Sequence, residues 1–319
     1  MSASKNPSFS DALERYALGL SRGRSLPPAP DAAADRRAKE LMFRLKRLGV
    51  RGWPERMTLY TRGLPQGCRP CLRGQGSNLA LTLKCNRDCF FCFNPRPRSA
   101  GMSVHGRKVS SPRQAALLLR RLGVRSVGIS GGEPLLEWKR LLALLKELRR
   151  GATPKLRIDL YTNGDLLTLP RLRALRSAGV DGLRLNLAAN GYQARPAALA
   201  REVFEDVETE IPVVPEHKGS VLKLMGELER LGCRHLILHE LFCSSENAAT
   251  LAGQGRLAKP GPRAKALTWS AVAGSEEAAL ELLADALRRR LKLSVYYCSC
   301  ATQSWIAQKA LARGSRVTD

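Results

Sequence analysis

Cys85, Cys89 and Cys92 stand in the run Cys85-Asn86-Arg87-Asp88-Cys89-Phe90-Phe91-Cys92, a C-x3-C-x2-C spacing with an aromatic residue directly before the third cysteine. Three thiolates this close in the chain can hold three irons of a 4Fe–4S cluster and leave the fourth iron without a protein ligand. An open iron can chelate a substrate, which a fully ligated electron-transfer cluster does not readily do. Two other readings stay open on spacing alone: a structural zinc knuckle, which needs a fourth ligand nearby, and a ferredoxin-type cluster. A second group with chemical potential is Ser130-Gly131-Gly132-Glu133-Pro134. The glycine pair lets the backbone approach a ligand closely, Glu133 offers an acceptor for an ammonium group, and Pro134 suits the first turn of a helix.

The elements that must position these residues follow a rhythm that begins near residue 78. Apolar runs predict strands over 79–83, 126–129, 156–161, 182–187, 211–214 and 235–241, and amphipathic runs predict helices over 112–122, 135–149, 170–178, 195–207 and 221–231. Strand alternating with helix argues for an α/β fold with a parallel sheet. Six such units are too few for a closed eight-stranded barrel. They suit a partial (β/α)6 barrel or a doubly wound sheet, with ligands at the C-terminal ends of the strands in either case. The expected division is an N-terminal helical and loop extension over 1–76, a core over 77–245 and a C-terminal extension over 246–319. The N-terminal part predicts a helix over 9–20, a proline-rich linker over 22–30 and a helix capped by Asp31. The tail predicts a helix over 276–290, a strand over 291–297 and a helix over 304–312.

The cysteine spacing at the end of the first strand, with Gly131-Gly132-Glu133-Pro134 at the end of the second, resembles the radical S-adenosylmethionine (radical SAM) enzymes. The resemblance implies that Cys85, Cys89 and Cys92 hold a 4Fe–4S cluster whose open iron binds S-adenosylmethionine. Reductive cleavage then gives a 5′-deoxyadenosyl radical that abstracts hydrogen from a substrate. It also implies cofactor-binding roles for Phe91, Gly131, Gly132, Glu133 and Pro134, for Asn163 at the end of the third strand and for Asn186 at the end of the fourth. Asn163-Gly164 is at the same time an ordinary turn signal. Phe93-Asn94-Pro95 is a further candidate wall for the adenine. At the sixth strand end, alternation turns either His239 or Glu240 inward. Cys243 follows, either as a speculative hydrogen donor to a substrate radical or as an inert core cysteine.

Cys68 and Cys71 precede the core, and Cys298 and Cys300 follow it. Four thiolates as C-x2-C plus C-x-C can complete a second 4Fe–4S cluster or an all-thiolate zinc site where the two ends of the fold meet, or they can be unconnected free thiols. Cys68-Arg69-Pro70-Cys71, Leu238-His239-Glu240-Leu241, Ala273-Gly274-Ser275-Glu276 and Tyr296-Tyr297-Cys298-Ser299 support a narrower likeness over 68–310. It is to a branch labelled as related to pyruvate formate-lyase activating enzymes. Those activases lack this flanking cysteine set. Cys233 reads as a small buried residue.

Composition bounds the rest. An apolar fraction of 44% excludes a disordered chain. No apolar run is long enough for a transmembrane helix, and the first residues lack a secretory apolar stretch, so a cytoplasmic setting with reduced thiols is expected. Lys and Arg outnumber Asp and Glu by 53 to 28, and 107–125 contains no acid. That imbalance favours an anionic partner. The expected substrate is a peptide or protein, with RNA as the alternative. A flavodoxin or ferredoxin is the expected reductant. A non-catalytic iron–sulfur or zinc protein that binds nucleic acid is the reading from a different class.

Overall fold

The computed structural model describes residues 26–29, 31–150, 156–259 and 270–314; the helix expected over 9–20 lies outside the described residues. Walking along the chain, α1 (Asp31–Arg47) leads to the short strands β1 (Arg51–Trp53) and β2 (Thr58–Tyr60), then α2 (Cys68–Leu72). The core follows as β3 (Gly76–Thr82), the hairpin β4 (Met102–Val104) and β5 (Arg107–Val109), α3 (Pro112–Arg121), β6 (Ser126–Gly131), α4 (Trp138–Arg150), β7 (Arg157–Thr162), α5 (Leu169–Ser177), β8 (Gly182–Leu185), α6 (Arg195–Arg201), β9 (Val207–Val213), α7 (Lys218–Arg230) and β10 (His235–Glu240). The chain then forms β11 (Phe242–Cys243), α8 (Ala248–Gly253), β12 (Ser270–Ala271), α9 (Ser275–Arg288), β13 (Ser294–Cys298) and α10 (Cys300–Gly314).

Strands β3, β6, β7, β8, β9 and β10 lie side by side in chain order and pair in parallel, the arrangement of a partial (β/α)6 barrel. Both flanking segments extend the same sheet. β13 pairs in parallel with β10, β2 pairs antiparallel with β13, and the β4–β5 hairpin closes the other edge. β11 and β12 form a separate two-stranded ribbon. Among the described residues, no helix is long and apolar enough to cross a membrane.

The two faces of the sheet differ because side chains alternate along each strand. Ile129, Leu160 and Leu183 align in register on the helix-covered face, fully buried with Leu236, Leu238 and Val295. The opposite face carries a register row of Tyr161, Arg184, Glu208 and His235. Here the structure departs from the expected helix over 195–207. α6 stops at Arg201 and β9 begins at Val207, so that Val207, Ile211 and Val213 join the core while Glu208 and Glu210 turn the other way. These acids belong to a strand because an arginine of the neighbouring strand receives both: Arg184 Nε lies 2.8 Å from Glu208, and Nη1 2.7 Å from Glu210. The last helix starts earlier than expected, at Cys300, with the Ser299 hydroxyl accepting from the Thr302 N–H at 3.0 Å as an N-cap.

Candidate functional site

The cysteine loop leaves the C-terminal end of β3 and is fastened from several sides. Gly132 N donates to Thr82 O at 2.7 Å and Glu133 N to Lys84 O at 2.8 Å, so the end of β6 is laced to the residues entering the loop. This is why glycine stands at both positions. Gly131 adopts φ +112°, and a Cβ there would lie 2.2 Å from Thr82 O; a Cβ on Gly132 would lie 2.0 Å from Lys84 O. The end of β7 holds the loop from another side. Asn163 Nδ2 donates to Asn86 Oδ1 at 2.8 Å, and Asp165 accepts from Asn86 Nδ2 at 2.7 Å and from Arg87 Nε at 2.6 Å. Asp88 pairs with Arg96 and, at 2.9 Å, with Arg98. The polar residues between Cys85 and Cys89 are thus all tied to protein partners, while the three cysteines remain free thiols of intermediate exposure.

The donor set fits a 4Fe–4S cluster better than a single ion. Burial pushes the Cys89 thiol up to about 11, and the neighbouring Cys92 and Cys85 add to the rise, so the three sulfurs share one site. Among the described residues, however, no three cysteine sulfurs come within 4.8 Å of one another. A single tetrahedral zinc, with thiolates about 2.3 Å away, needs closer sulfurs and a fourth ligand. A cluster spreads its thiolates over separate irons.

Glu133 is fully buried. Its carboxylate accepts from Leu135 N at 3.0 Å, Asn163 N at 2.9 Å and the Thr162 hydroxyl at 2.9 and 3.0 Å. It thereby caps the 3-10 turn Pro134–Glu137, with buried Pro134 at its start, and braces the end of β7. Asn163 is buried beside it. Asn186, after β8, has a buried side-chain oxygen without a hydrogen-bond partner among the described residues, a group able to receive a ligand donor at the C-terminal edge of the sheet. Phe91 stacks edge-on with Phe90 at 5.2 Å and packs on a small apolar cluster of Leu26, Val214, Leu241 and Cys243. Cys243 is buried there, in the ribbon β11–β12 rather than on β10. Asn94 donates to Gly131 O, which places it against the glycine turn.

His239, not Glu240, occupies the polar face. Its Nε2 lies 3.0 Å from Glu210 Oε1. Burial alone would raise the Glu210 carboxyl, but His239 and Arg184 outweigh it and hold it at about 2. Arg184 also donates to Tyr161 Oη at 2.8 Å and to Cys68 Sγ at 3.4 Å. Glu240 faces the other way and accepts from Cys300 N at 2.7 Å.

That last contact separates the outer cysteines. Cys68 and Cys298 share an apolar cluster with Ile237 and Tyr296, and Cys71 lies close enough to influence both thiols electrostatically. Cys300 is on the opposite side of the sheet edge, where burial and Glu240 push its thiol up. The structure brings three of the four expected thiols together and turns the fourth toward Glu240.

Asn86, Arg87, Asp165, Tyr161, Arg184, Glu208 and Glu210 were not singled out by motif. The acids had a detectable signal, because Val207-Glu208-Thr209-Glu210-Ile211 alternates with period 2.

Residues 79–195 match the Radical SAM superfamily. A Methanocaldococcus jannaschii protein named provisionally as a glycyl-radical enzyme activating enzyme is 28% identical over 234 residues, which cover 70% of this chain and 60% of that protein. A GTP 3′,8-cyclase of a Synechococcus species is 36% identical over 124 residues, covering 36% of this chain and 34% of that enzyme. Streptococcus suis SuiB, solved with its precursor peptide SuiA, superposes with a TM-score of 0.49 at 16% identity, covering 89% of this chain and 58% of that one. The chain therefore spans less than two thirds of the length of each of these relatives.

Proposed function

Residues 79–195 are a radical SAM domain, and from that premise we propose that the protein is an enzyme that cleaves S-adenosylmethionine and acts on a peptide or protein. When bound, a 4Fe–4S cluster supplies the electron that breaks a carbon–sulfur bond of S-adenosylmethionine, giving a 5′-deoxyadenosyl radical that abstracts hydrogen from the substrate. Cys85, Cys89 and Cys92 would hold three of its irons. Gly131 and Gly132 let the end of β6 pass against the loop, and Glu133 sets the backbone of Asn163 beside it. The observation that carries this reading is the three-sided clamp on the cysteine loop: Gly132 and Glu133 on Thr82 and Lys84, Asn163 and Asp165 on Asn86 and Arg87, and Arg96 and Arg98 on Asp88. A loop fixed this firmly holds its thiols in place before any metal arrives.

The likeness to a provisional glycyl-radical enzyme activating enzyme, over 70% of this chain, favours a protein substrate and a small reductant protein such as flavodoxin or ferredoxin. Cys68, Cys71 and Cys298, gathered beside Arg184, are the thiols for a second cluster. The test is anaerobic reconstitution with iron and sulfide, reduction, and detection of 5′-deoxyadenosine by mass spectrometry. Product is expected from the wild type and none from the Cys85→Ala/Cys89→Ala/Cys92→Ala variant. A cluster-loaded wild type that forms no product overturns the reading. About four irons retained by that triple variant would support the second cluster, and none would remove it.

A further inference from the structure

The polar face of the sheet holds more carboxyl groups than it has arginines to pair them. Among the described residues, Asp159, Asp206, Glu208 and Glu210 meet only Arg157 and Arg184 as guanidinium partners there. Glu210 gains His239 as well. The remaining imbalance is concentrated where β9 and β10 begin. One oxygen of Asp206, one of Glu208 and one ring nitrogen of His235 lie within 4.8 Å of one another.

Two of these atoms are unsatisfied although buried. Glu208 is 1% exposed, yet among the described residues its Oε1 has no hydrogen-bond partner, and neither has His235 Nδ1. They lie 3.8 Å apart, too far for a hydrogen bond between them. The arginines do not fill the gap. Arg184 Nε lies 2.8 Å from the other oxygen, Glu208 Oε2, as an ion pair without hydrogen-bond alignment, and Arg157 pairs with Asp206 Oδ2. Buried polar atoms are nearly always partnered. A buried carboxylate oxygen and an imidazole nitrogen left open toward each other, with a second carboxylate beside them, match the spacing of ligands around one cation. Ligand bonds of about 2.0–2.2 Å span such a gap at a wide angle.

We infer that Asp206, Glu208 and His235 form a binding site for a divalent first-row metal ion. Two carboxylates and an imidazole are the donor set of manganese, iron or zinc rather than of a thiolate-seeking metal. The site lies at the opposite end of the barrel from the cysteine loop, because Asp206 and His235 precede or begin parallel strands whereas Cys85 follows the end of one. It sits beneath the segment that covers the polar face. Gln66 pairs with Arg157 at 2.7 Å, and Gly67 packs so closely on Asp159 and Arg184 that a Cβ would meet them. An ion here ties β9 to β10 and stiffens the floor on which Cys68 and Arg184 rest.

Mn2+ alone is the probe, added to full-length protein after chelator treatment and followed by electron paramagnetic resonance. The wild type is expected to bind about one manganese per chain, and the pulsed spectrum of the bound ion is expected to show a nitrogen coupling from one imidazole. Asp206→Asn/His235→Gln should weaken binding by more than about tenfold, since loss of even an indirect metal partner costs that much. The Cys85→Ala/Cys89→Ala/Cys92→Ala variant should bind manganese as the wild type does. Single His235→Gln, at the half-buried first position of β10, should fold even where the double variant does not, and its bound manganese should lack the nitrogen coupling. Absence of binding to folded wild type, binding unchanged in folded His235→Gln, or a wild-type spectrum without nitrogen coupling would each overturn the inference.

Discussion

Asn163 reaches back to Asn86 across 77 residues of chain and donates its side-chain amide to the Asn86 side-chain oxygen Oδ1 at 2.8 Å. The end of β7 is thereby fixed to the residue that follows Cys85. Asp165 completes the clamp through Asn86 and Arg87, and Arg87 holds its carboxyl below the usual range.

Breaking that clamp should loosen the loop and spare the fold. Asp165→Ala removes a partly exposed pair contributing about 1 kcal/mol, so the chelator-driven loss of iron should accelerate about fivefold. The thermal midpoint of the metal-free protein should stay near that of the wild type. Iron release at an unchanged rate would show that the loop holds its shape without β7.

Gly132→Ala should abolish cluster incorporation. The added methyl meets Lys84 O at 2.0 Å, a backbone atom that cannot move without carrying Cys85 with it. Gly219→Ala in α7 is the control, because its Cβ meets nothing and alanine favours the helix by about 0.5–1 kcal/mol. Iron per chain after reconstitution separates the two, with the control matching the wild type.

Glu133→Ala should lower the stability of the metal-free protein before any effect on S-adenosylmethionine is read. It strands the buried donors of Leu135, Asn163 and Thr162, each costing about 1–3 kcal/mol where it stays unpaired. Urea unfolding measures the loss. A midpoint equal to that of the wild type would mean that solvent replaces the carboxylate.

Arg184→Leu should be among the most damaging single changes. The guanidinium is almost completely buried and meets Glu208, Glu210, Asp159, Tyr161 and Cys68. Removing it leaves buried carboxylates unpaired at a cost of about 3–5 kcal/mol. Calorimetry should show a lower midpoint or insoluble protein. Arg184→Leu combined with Glu208→Gln and Glu210→Gln should recover part of the loss.

Glu210 predicts the acid limb of stability. Its folded value near 2 lies below its ordinary value of 4.5, so the native state holds the carboxylate charged. Its contribution is fully present above about pH 4.5 and fades as pH falls toward about 2. Glu210→Gln should therefore flatten the decline in thermal midpoint over that window, and a decline as steep as that of the wild type would assign it to other carboxylates.

Short-range spacing made part of this protein legible. Cys85, Cys89 and Cys92 are fixed by their positions in one loop, and Gly131-Gly132 by a turn that only glycine can make so close to Thr82 and Lys84. The order of β3, β6, β7, β8, β9 and β10 was readable because each apolar run is bounded by its own helix and turn, whereas the hairpin β4–β5 was not expected. Other features depended on register between distant strands. Glu208 and Glu210 fall between the expected helix over 195–207 and the expected strand over 211–214, and their place is set only where β8 brings Arg184 alongside β9. Cys298 and Cys300 read as one ligand pair, yet the turn from β13 into α10 sends Cys300 to Glu240 and leaves Cys298 with Cys68. Asp165 carried no motif because its partners lie 78 and 79 residues away. A local pattern fixes which face of a strand a side chain takes, but what meets it there is decided by the neighbouring strand, and only the folded sheet sets that register.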